Sequence, residues 1–167
     1  MAIRLIVLDV DGCLTDGRIV YGAEGEELKA FDVKDGLAIA SWIRLGRQAA
    51  VITGRRSKIV ERRAQELGIA HLYQGVRDKG AKFAELLERL GIDADETAVI
   101  GDDWNDWPML RRAGRSYAPG DAVAAIRQRV DRPLTARGGR GAVREMLEEL
   151  LDREGLREEF LRLWSAE

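Results

Sequence analysis

Asp9 and Asp11 stand two residues apart in the segment Asp9-Val10-Asp11-Gly12-Cys13-Leu14-Thr15, directly after an apolar run over residues 3–8. A buried strand that opens into such a loop can turn both carboxylates toward one reaction centre. An aspartate there can attack phosphorus as a nucleophile and hold a hard divalent cation as well. The same two residues can also simply cap a turn, a common use of aspartate after a strand. Three further polar sets bear on the choice. Thr53-Gly54-Arg55 follows the apolar run 49–52 and offers a hydroxyl and backbone N–H groups to phosphate oxygens ahead of a helix. Lys79 precedes a helical pattern and is a point charge suited to a phosphoryl dianion. Gly101-Asp102-Asp103-Trp104-Asn105-Asp106 follows the run 97–100 and supplies a second carboxylate cluster for a cation. Each set has a plainer use: Thr53 or Ser57 as a helix cap, Lys79 as one solvated lysine among many, the later aspartates as acids at a helix start. Their arrival in order at successive strand ends favours phosphoryl chemistry, because ligands of open parallel sheets collect beyond those ends.

The elements that must position these groups are legible as alternating short apolar runs and amphipathic patterns, the mark of βα units around a parallel sheet. Strands are expected at residues 3–8, 49–52, 71–73, 97–100 and, more weakly marked, 116–118. Helices are expected at 36–45, 57–67, 80–90, 106–113, 121–129 and 142–151, with Gly46, Gly68 and Gly91 placed where a left-handed residue ends a helix. Residues 18–33 break the alternation and predict a β-hairpin, with strands at 18–21 and 27–33 around Gly22-Ala23-Glu24-Gly25 and with Ile19 and Tyr21 on one face. Leu156, Phe160, Leu163 and Trp164 form a further amphipathic stretch after Gly155.

The 167 residues suit one domain over 1–167, with the hairpin at 18–33 and a C-terminal tail at 152–167. A 46% apolar and 34% charged composition is that of a globular protein. A net charge of −2 gives no footprint for nucleic acid, and no run approaches the roughly 20 apolar residues that span a bilayer. The chain enters its first strand at once, so no signal peptide is expected. Cys13 is the only cysteine, which excludes an internal disulfide and suits a cytoplasmic location; it is expected to pack beside the aspartate loop.

The ordered set Asp9-Val10-Asp11-Gly12 with Thr15, Thr53, Lys79, and Gly101-Asp102-Asp103 with Asp106 resembles the four motifs of the haloacid dehalogenase superfamily of phosphotransferases. The resemblance implies a Rossmann-like α/β core with helices on both faces of a parallel sheet. It implies Asp9 as the nucleophile that forms an aspartyl phosphate, and Asp11 as the acid for the leaving alkoxide and later the base for water. Thr53 and Lys79 would hold phosphate oxygens, and Mg2+ would lie on Asp9, the backbone carbonyl of Asp11, and Asp102. An acid at Asp11 implies rapid hydrolysis of the intermediate, hence a phosphatase; transport ATPases of the superfamily carry threonine there. Physically, a dianionic phosphate repels an anionic nucleophile, so a cation and a lysine are needed to bring them together.

Between Asp11 and Thr53 the hairpin and one helix use up the chain, and between Thr53 and Lys79 there is room only for a helix and a strand, so no large cap is expected. Over nearly its whole length the chain resembles the 3-deoxy-D-manno-octulosonate 8-phosphate (KDO 8-phosphate) phosphatase family. The resemblance is carried by 9–17, Phe31-Asp32-Val33-Lys34-Asp35-Gly36, 51–55, Leu72-Tyr73-Gln74-Gly75, 100–109 with Trp107-Pro108, and 138–145. It implies a capless core with a β-hairpin and a homotetramer whose hairpins join and whose neighbouring subunits help enclose each site. The implied substrate is a phosphorylated sugar acid of lipopolysaccharide precursor synthesis, contacted by Asp32, Val33, Lys34, Asp35, Gly36, Ala40, Gly54, Arg55 and Arg63 besides Asp11, Thr53 and Lys79. Arg55 and Arg63 are forks suited to the sugar carboxylate, although Arg63 can instead lie on a solvated helix face. Two other readings remain: a phosphatase for nine-carbon keto-sugar acid 9-phosphates, and a catalytically silent oligomerisation module, against which the intact Asp9, Asp11, Lys79 and Asp102 weigh. The segment after Leu151 matches the family poorly, and Trp104 is not required by the chemistry.

Overall fold

The computed structural model describes residues 1–165. Six parallel strands form one sheet in the order β5-β4-β1-β6-β7-β8: β1 (Leu5–Leu8), β4 (Gln48–Ile52), β5 (His71–Tyr73), β6 (Thr97–Ile100), β7 (Arg115–Ala118) and β8 (Arg132–Pro133). A separate antiparallel pair, β2 (Val20–Tyr21) and β3 (Glu27–Leu28), makes the hairpin. Helices α1 (Val33–Arg44), α2 (Lys58–Leu67), α3 (Lys79–Leu90), α4 (Trp107–Leu110), α5 (Ala124–Arg127), α6 (Ala142–Arg153) and α7 (Arg157–Arg162) complete the fold. This is the expected capless α/β architecture.

Side chains alternate across a strand, so each buried strand feeds two cores. Ile6 and Leu8 of β1, with Ala49 and Val51 of β4 and Ala98 and Ile100 of β6, pack with α1, α2, α6 and α7. Leu5, Val7, Ala50, Ile52 and Val99 face the opposite way, onto Phe83 and Leu86 of α3 and Met109 of α4. The chain runs outward from β1 to β4 and β5, then returns to β1's other side through β6. β1 is therefore where the strand order reverses, the place at which such sheets bind ligands. Leu8 pairs with both Val51 and Ile100, so β1 and β6 end level, β4 ends one residue beyond, and their loops converge.

Several boundaries differ from those expected. Helix α1 begins at Val33 because the Asp32 carboxylate accepts from the Lys34 N–H at 2.7 Å, which ends the second hairpin strand early. β2 and β3 are two residues each, shorter than expected, with Val20 opposite Leu28 and Tyr21 opposite Glu27, and Ile19, Val20, Tyr21 and Leu28 are all exposed. α4 and α5 are single turns. Asp121, expected to begin the latter helix, instead accepts from the Gly138 N–H at 2.9 Å. β8 was not foreseen; it is a two-residue edge strand ending in proline, which an edge tolerates. Gly46, Gly68 and Gly91 are left-handed as expected. The amphipathic stretch after Gly155 becomes α7, which buries Phe160 in the core, while the Trp164 indole donates to Ser41 Oγ at 3.2 Å and lies under Arg44. Residues 166 and 167 of the expected tail lie outside the described residues.

The loop before α6 docks against the loop after β1. Gly139 N–H donates to the Cys13 carbonyl at 2.9 Å, and a Cβ on Gly138 would stand 1.9 Å from the Gly12 carbonyl oxygen. Gly138→Ala is therefore expected to lower stability by about 1–3 kcal/mol through overpacking of backbone that cannot give way. The check is the urea midpoint at constant m-value; an unchanged midpoint would mean that the two loops are not in contact.

Candidate active site

The loop after β1 winds through one wide, irregular turn over Val10–Leu14, with Asp11 extended and Gly12 at φ +94°. Only glycine takes this conformation readily, and here it is also required by space: a Cβ on Gly12 would meet Asp102 Oδ2 at 2.1 Å. The first aspartate loop and the loop after β6 are thereby pressed together. Asp9 is buried at the end of β1 and its N–H donates to the Ile100 carbonyl at 3.2 Å.

Lys79, at the first position of α3, is itself buried and reaches Asp9 Oδ1 at 2.7 Å and Asp106 Oδ1 at 2.5 Å. The other oxygen of Asp106 accepts the Asp102 N–H at 2.9 Å, which fixes the turn that carries Asp102. Asp106 has no exposed surface. Sequence comparison placed it in a motif without a role; its function as the second anion on Lys79 depends on a contact between distant segments and left no local signal. Thr53 is buried at the end of β4, with its N–H on the Tyr73 carbonyl at 2.9 Å. Together Asp9, Asp11, Thr53, Gly54, Arg55, Lys79 and Asp102, with Asp103 and Asn105, line one pocket of about 200 Å3.

Three carboxylates and one ammonium leave this buried site with an excess of negative charge. Burial, then the charge of Asp106, pushes Asp9 up from 3.8 to about 7, although Lys79 opposes the shift. Burial, then Asp9 and Asp106, pushes Asp102 up to about 8. The same carboxylates hold Lys79 protonated against the burial that would discharge it. Asp9, Cys13 and Asp102 present potential ligand atoms within 4.8 Å of one another. Burial raises the Cys13 thiol well above its ordinary value, so the protonated sulfur is a poor partner for a hard cation. The hard oxygens of Asp9 and Asp102 are the fitting ligands for Mg2+, and the charge excess is of the sign that a divalent cation relieves.

The remaining expected contacts divide into two groups. Arg55 reaches from the pocket rim to the hairpin, where its Nη2 donates to the Tyr21 hydroxyl at 3.1 Å. Val33 and Arg63 do not line the catalytic pocket; they line a neighbouring cleft of about 310 Å3 between the hairpin and α2, together with Lys29 and Phe31. Arg63 stacks over Phe31 and occupies the space that the missing side chain of Gly36 leaves open. Asp32, Lys34, Asp35 and Ala40 line neither space. Asp32 caps α1, and Asp35 is buried with Oδ1 on the Arg144 N–H at 2.7 Å, tying α1 to α6. Burial raises Asp35 to about 6 despite that bond. Trp104 is half-exposed beside the site, under the guanidinium of Arg129 at 5.2 Å. Lys29 went unnoticed in the sequence: its buried ammonium lies 2.5 Å from Asp11 Oδ1.

Residues 24–114 match the haloacid dehalogenase-like hydrolase family. The chain is 48% identical over 153 residues to the 3-deoxy-D-manno-octulosonate 8-phosphate phosphatase KdsC of Escherichia coli K12, covering 92% of this chain and 81% of that one. Among solved structures it is similar to the 3-deoxy-D-manno-octulosonate 8-phosphate phosphatase of Moraxella catarrhalis in complex with magnesium, phosphate and KDO, with a TM-score of 0.94, 41% identity, and 98% and 94% of the two chains covered. It is also similar to the cobalt-bound phosphatase YrbI of Haemophilus influenzae, with a TM-score of 0.88, 40% identity, and 92% and 90% covered.

The charge excess has a measurable consequence. Asp9 and Asp102 hold protons more tightly folded than unfolded, so without a cation they make stability fall as pH rises from about 4 to about 8. A cation that needs both carboxylates ionised should bind well at the top of this window and poorly at the bottom. Excess Mg2+ is expected to raise Tm clearly at about pH 8 and little at about pH 5. Equal increments at both values would exclude these carboxyls as its ligands.

Proposed function

The chain belongs to the haloacid dehalogenase-like hydrolases and to their KDO 8-phosphate phosphatase branch, and on that premise we propose that it hydrolyses 3-deoxy-D-manno-octulosonate 8-phosphate to KDO and phosphate. The observation that carries this reading is the meeting of Asp9, Asp11, Thr53, Lys79 and Asp102 in one pocket at the sheet's switch point. The work is assigned to a single domain comprising residues 1–167, in the cytoplasm, supplying a lipopolysaccharide precursor. The lone cysteine suits that compartment, and no helix among the described residues is long and apolar enough to cross a membrane.

In the first half of the reaction an oxygen of Asp9 attacks phosphorus, the ester P–O bond breaks, and Asp11 gives its proton to the departing sugar oxygen. In the second half water attacks the aspartyl phosphate, Asp11 takes the water's proton, and Asp9 departs as carboxylate. Thr53 and Lys79 hold the phosphoryl oxygens, and Lys79 keeps the nucleophile oriented through its bond to Asp9 Oδ1. Mg2+ held by Asp9, the Asp11 carbonyl and Asp102 supplies the positive charge that lets an anionic nucleophile approach a phosphate dianion. Arg55 is the fork for the sugar carboxylate at the pocket rim, and Arg63, with Val33 at the start of α1, extends recognition along the neighbouring cleft. Phosphate release is expected to favour the eight-carbon 8-phosphate over nine-carbon 9-phosphates in kcat/KM, and Asp9→Asn, which makes the nucleophile an amide, should abolish it in a folded protein. Turnover by folded Asp9→Asn would refute the aspartyl-phosphate route.

Assembly into a homotetramer belongs to the same reading. Among the described residues the hairpin pairs only with itself, exposes Ile19, Val20, Tyr21 and Leu28 (38%, 44%, 62% and 57%), and leaves both edges open, whereas an isolated two-stranded hairpin is only marginally stable. A capless pocket also needs walls that one chain does not provide. Leu28→Asp is expected to lower the mass seen by light scattering and to reduce kcat/KM on the sugar acid. Dissociation with undiminished kcat/KM would show that no neighbouring chain completes the site.

A further inference from the structure

A lysine with a side chain 1% exposed is an anomaly on a two-stranded hairpin, since long cations are placed inside a protein only against anions that compensate their desolvation. Lys29 has two such anions. Its Nζ lies 2.5 Å from Asp11 Oδ1 and 3.3 Å from Glu27 Oε1. Glu27, two residues back on the same face, is itself drawn inward, with Oε1 buried and Arg55 Nη2 at 3.8 Å. The arrangement repeats that around Asp9, where Lys79 holds Oδ1 and is held in turn by Asp106. Each of the two reacting carboxyls is thus gripped by one oxygen through a buried lysine, and each lysine is backed by a second carboxylate.

We propose that Lys29 is a positioning residue for proton transfer: by holding Oδ1 of Asp11 it assigns Oδ2 as the oxygen that gives and takes the proton. This inference rests on the aspartyl-phosphate reading above. A carboxyl group has two equivalent oxygens and rotates about its Cβ–Cγ bond, so a productive geometry needs one of them to be fixed. The ammonium donates to Oδ1 whether that atom is the carbonyl oxygen of the neutral acid or half of the carboxylate, so the grip persists through both half-reactions. Oδ2 accepts no hydrogen bond from the described residues and remains available to the ester oxygen. The grip comes from the hairpin and not from the strand loop that carries Asp11, so hairpin placement and proton transfer are linked.

The alternative is that Lys29 only fastens the hairpin to the core. The two roles separate through the leaving group. A sugar alkoxide needs a proton to depart and p-nitrophenolate does not, and kcat/KM reports only the steps up to that departure, so the later attack of water drops out. Lys29→Met should lower the ratio of kcat/KM on the sugar acid phosphate to that on p-nitrophenyl phosphate at least tenfold, as Asp11→Asn should. General acid–base assistance is typically worth about 10²–10⁴ in rate. On an Asp11→Asn background Lys29→Met should leave the ratio unchanged, because the group it orients is already gone. Lys29→Arg, which keeps the charge but displaces it along the stem, should fall between the wild type and Lys29→Met, and it serves in place of Lys29→Met if that protein does not fold. An unchanged ratio in the folded Lys29 variants, or a loss that multiplies with that of Asp11→Asn, overturns the proposal. If Asp11→Asn itself leaves the ratio unchanged, it is the acid role of Asp11 that fails, and the inference fails with it.

Discussion

The structure depends on one buried ammonium. Lys79 lies between Asp9 and Asp106, and all three are withdrawn from solvent. Removing one partner of such a group strands an uncompensated charge, at a cost of about 3–5 kcal/mol, so the three loops that supply them are bound to one another. Asp9 ends the central strand, Lys79 opens α3, and Asp106 closes the turn after β6 by accepting the Asp102 N–H. The adjacent ends of β1, β4 and β6 bring those loops within reach, and the glycines at 12 and 138 let the backbones approach to the required distance. The same triad sets the electrostatics. One cation cannot balance Asp9, Asp102 and Asp106, and the unbalanced charge that raises Asp9 and Asp102 is what makes the site receptive to a divalent metal.

How far the sequence discloses this arrangement depends on the range of the interaction. β1, β4 and β6 were legible because a strand buried on both faces leaves an unbroken apolar run, and the helix ends were legible because glycine is the residue that tolerates them. Most residues that meet in the catalytic pocket were legible because Asp9, Asp11, Thr53 and Asp102 follow strand ends, while Lys79 opens a helix. Asp32 was misassigned to a strand, since the alternating pattern of the hairpin runs into it without a break and its capping bond to the Lys34 N–H is specific to the folded chain. β8 had no apolar run to disclose it. The partnership of Asp106 with Lys79 and that of Lys29 with Asp11 were illegible for a common reason. A charged residue in a sequence looks solvated, and only the burial of its partner shows otherwise.

The substrate contacts show the opposite limit. Positional resemblance placed Asp32, Val33, Lys34, Asp35, Gly36 and Ala40 in one group, but the chain separates their physical roles. Asp32 and Asp35 spend their carboxylates on backbone N–H groups, one capping α1 and the other joining it to α6. Gly36 contributes by its lack of a side chain, opening the space into which the Arg63 guanidinium settles over Phe31. A segment can therefore shape a cleft without lining it: the two aspartates fix the helix, and the glycine admits the arginine that the cleft displays.

The hairpin brings these points together. Alternation along two short strands gives it two unlike faces. Val20 and Leu28 share one apolar face, while on the other Glu27, with Lys29 just beyond, turns toward Arg55 and Asp11, and the exposed Tyr21 accepts from Arg55. A period of two means that a one-residue slip would exchange the faces, exposing a lysine that needs its anions and burying leucine against charge. The inward ion pairs therefore fix the register of an element whose two pairs of residues are too few to fix it by themselves. That register in turn decides which apolar side chains the hairpin exposes. In a protein without a cap, the hairpin that exposes these apolar side chains is also the element that touches the proposed acid, so both depend on a single strand pairing.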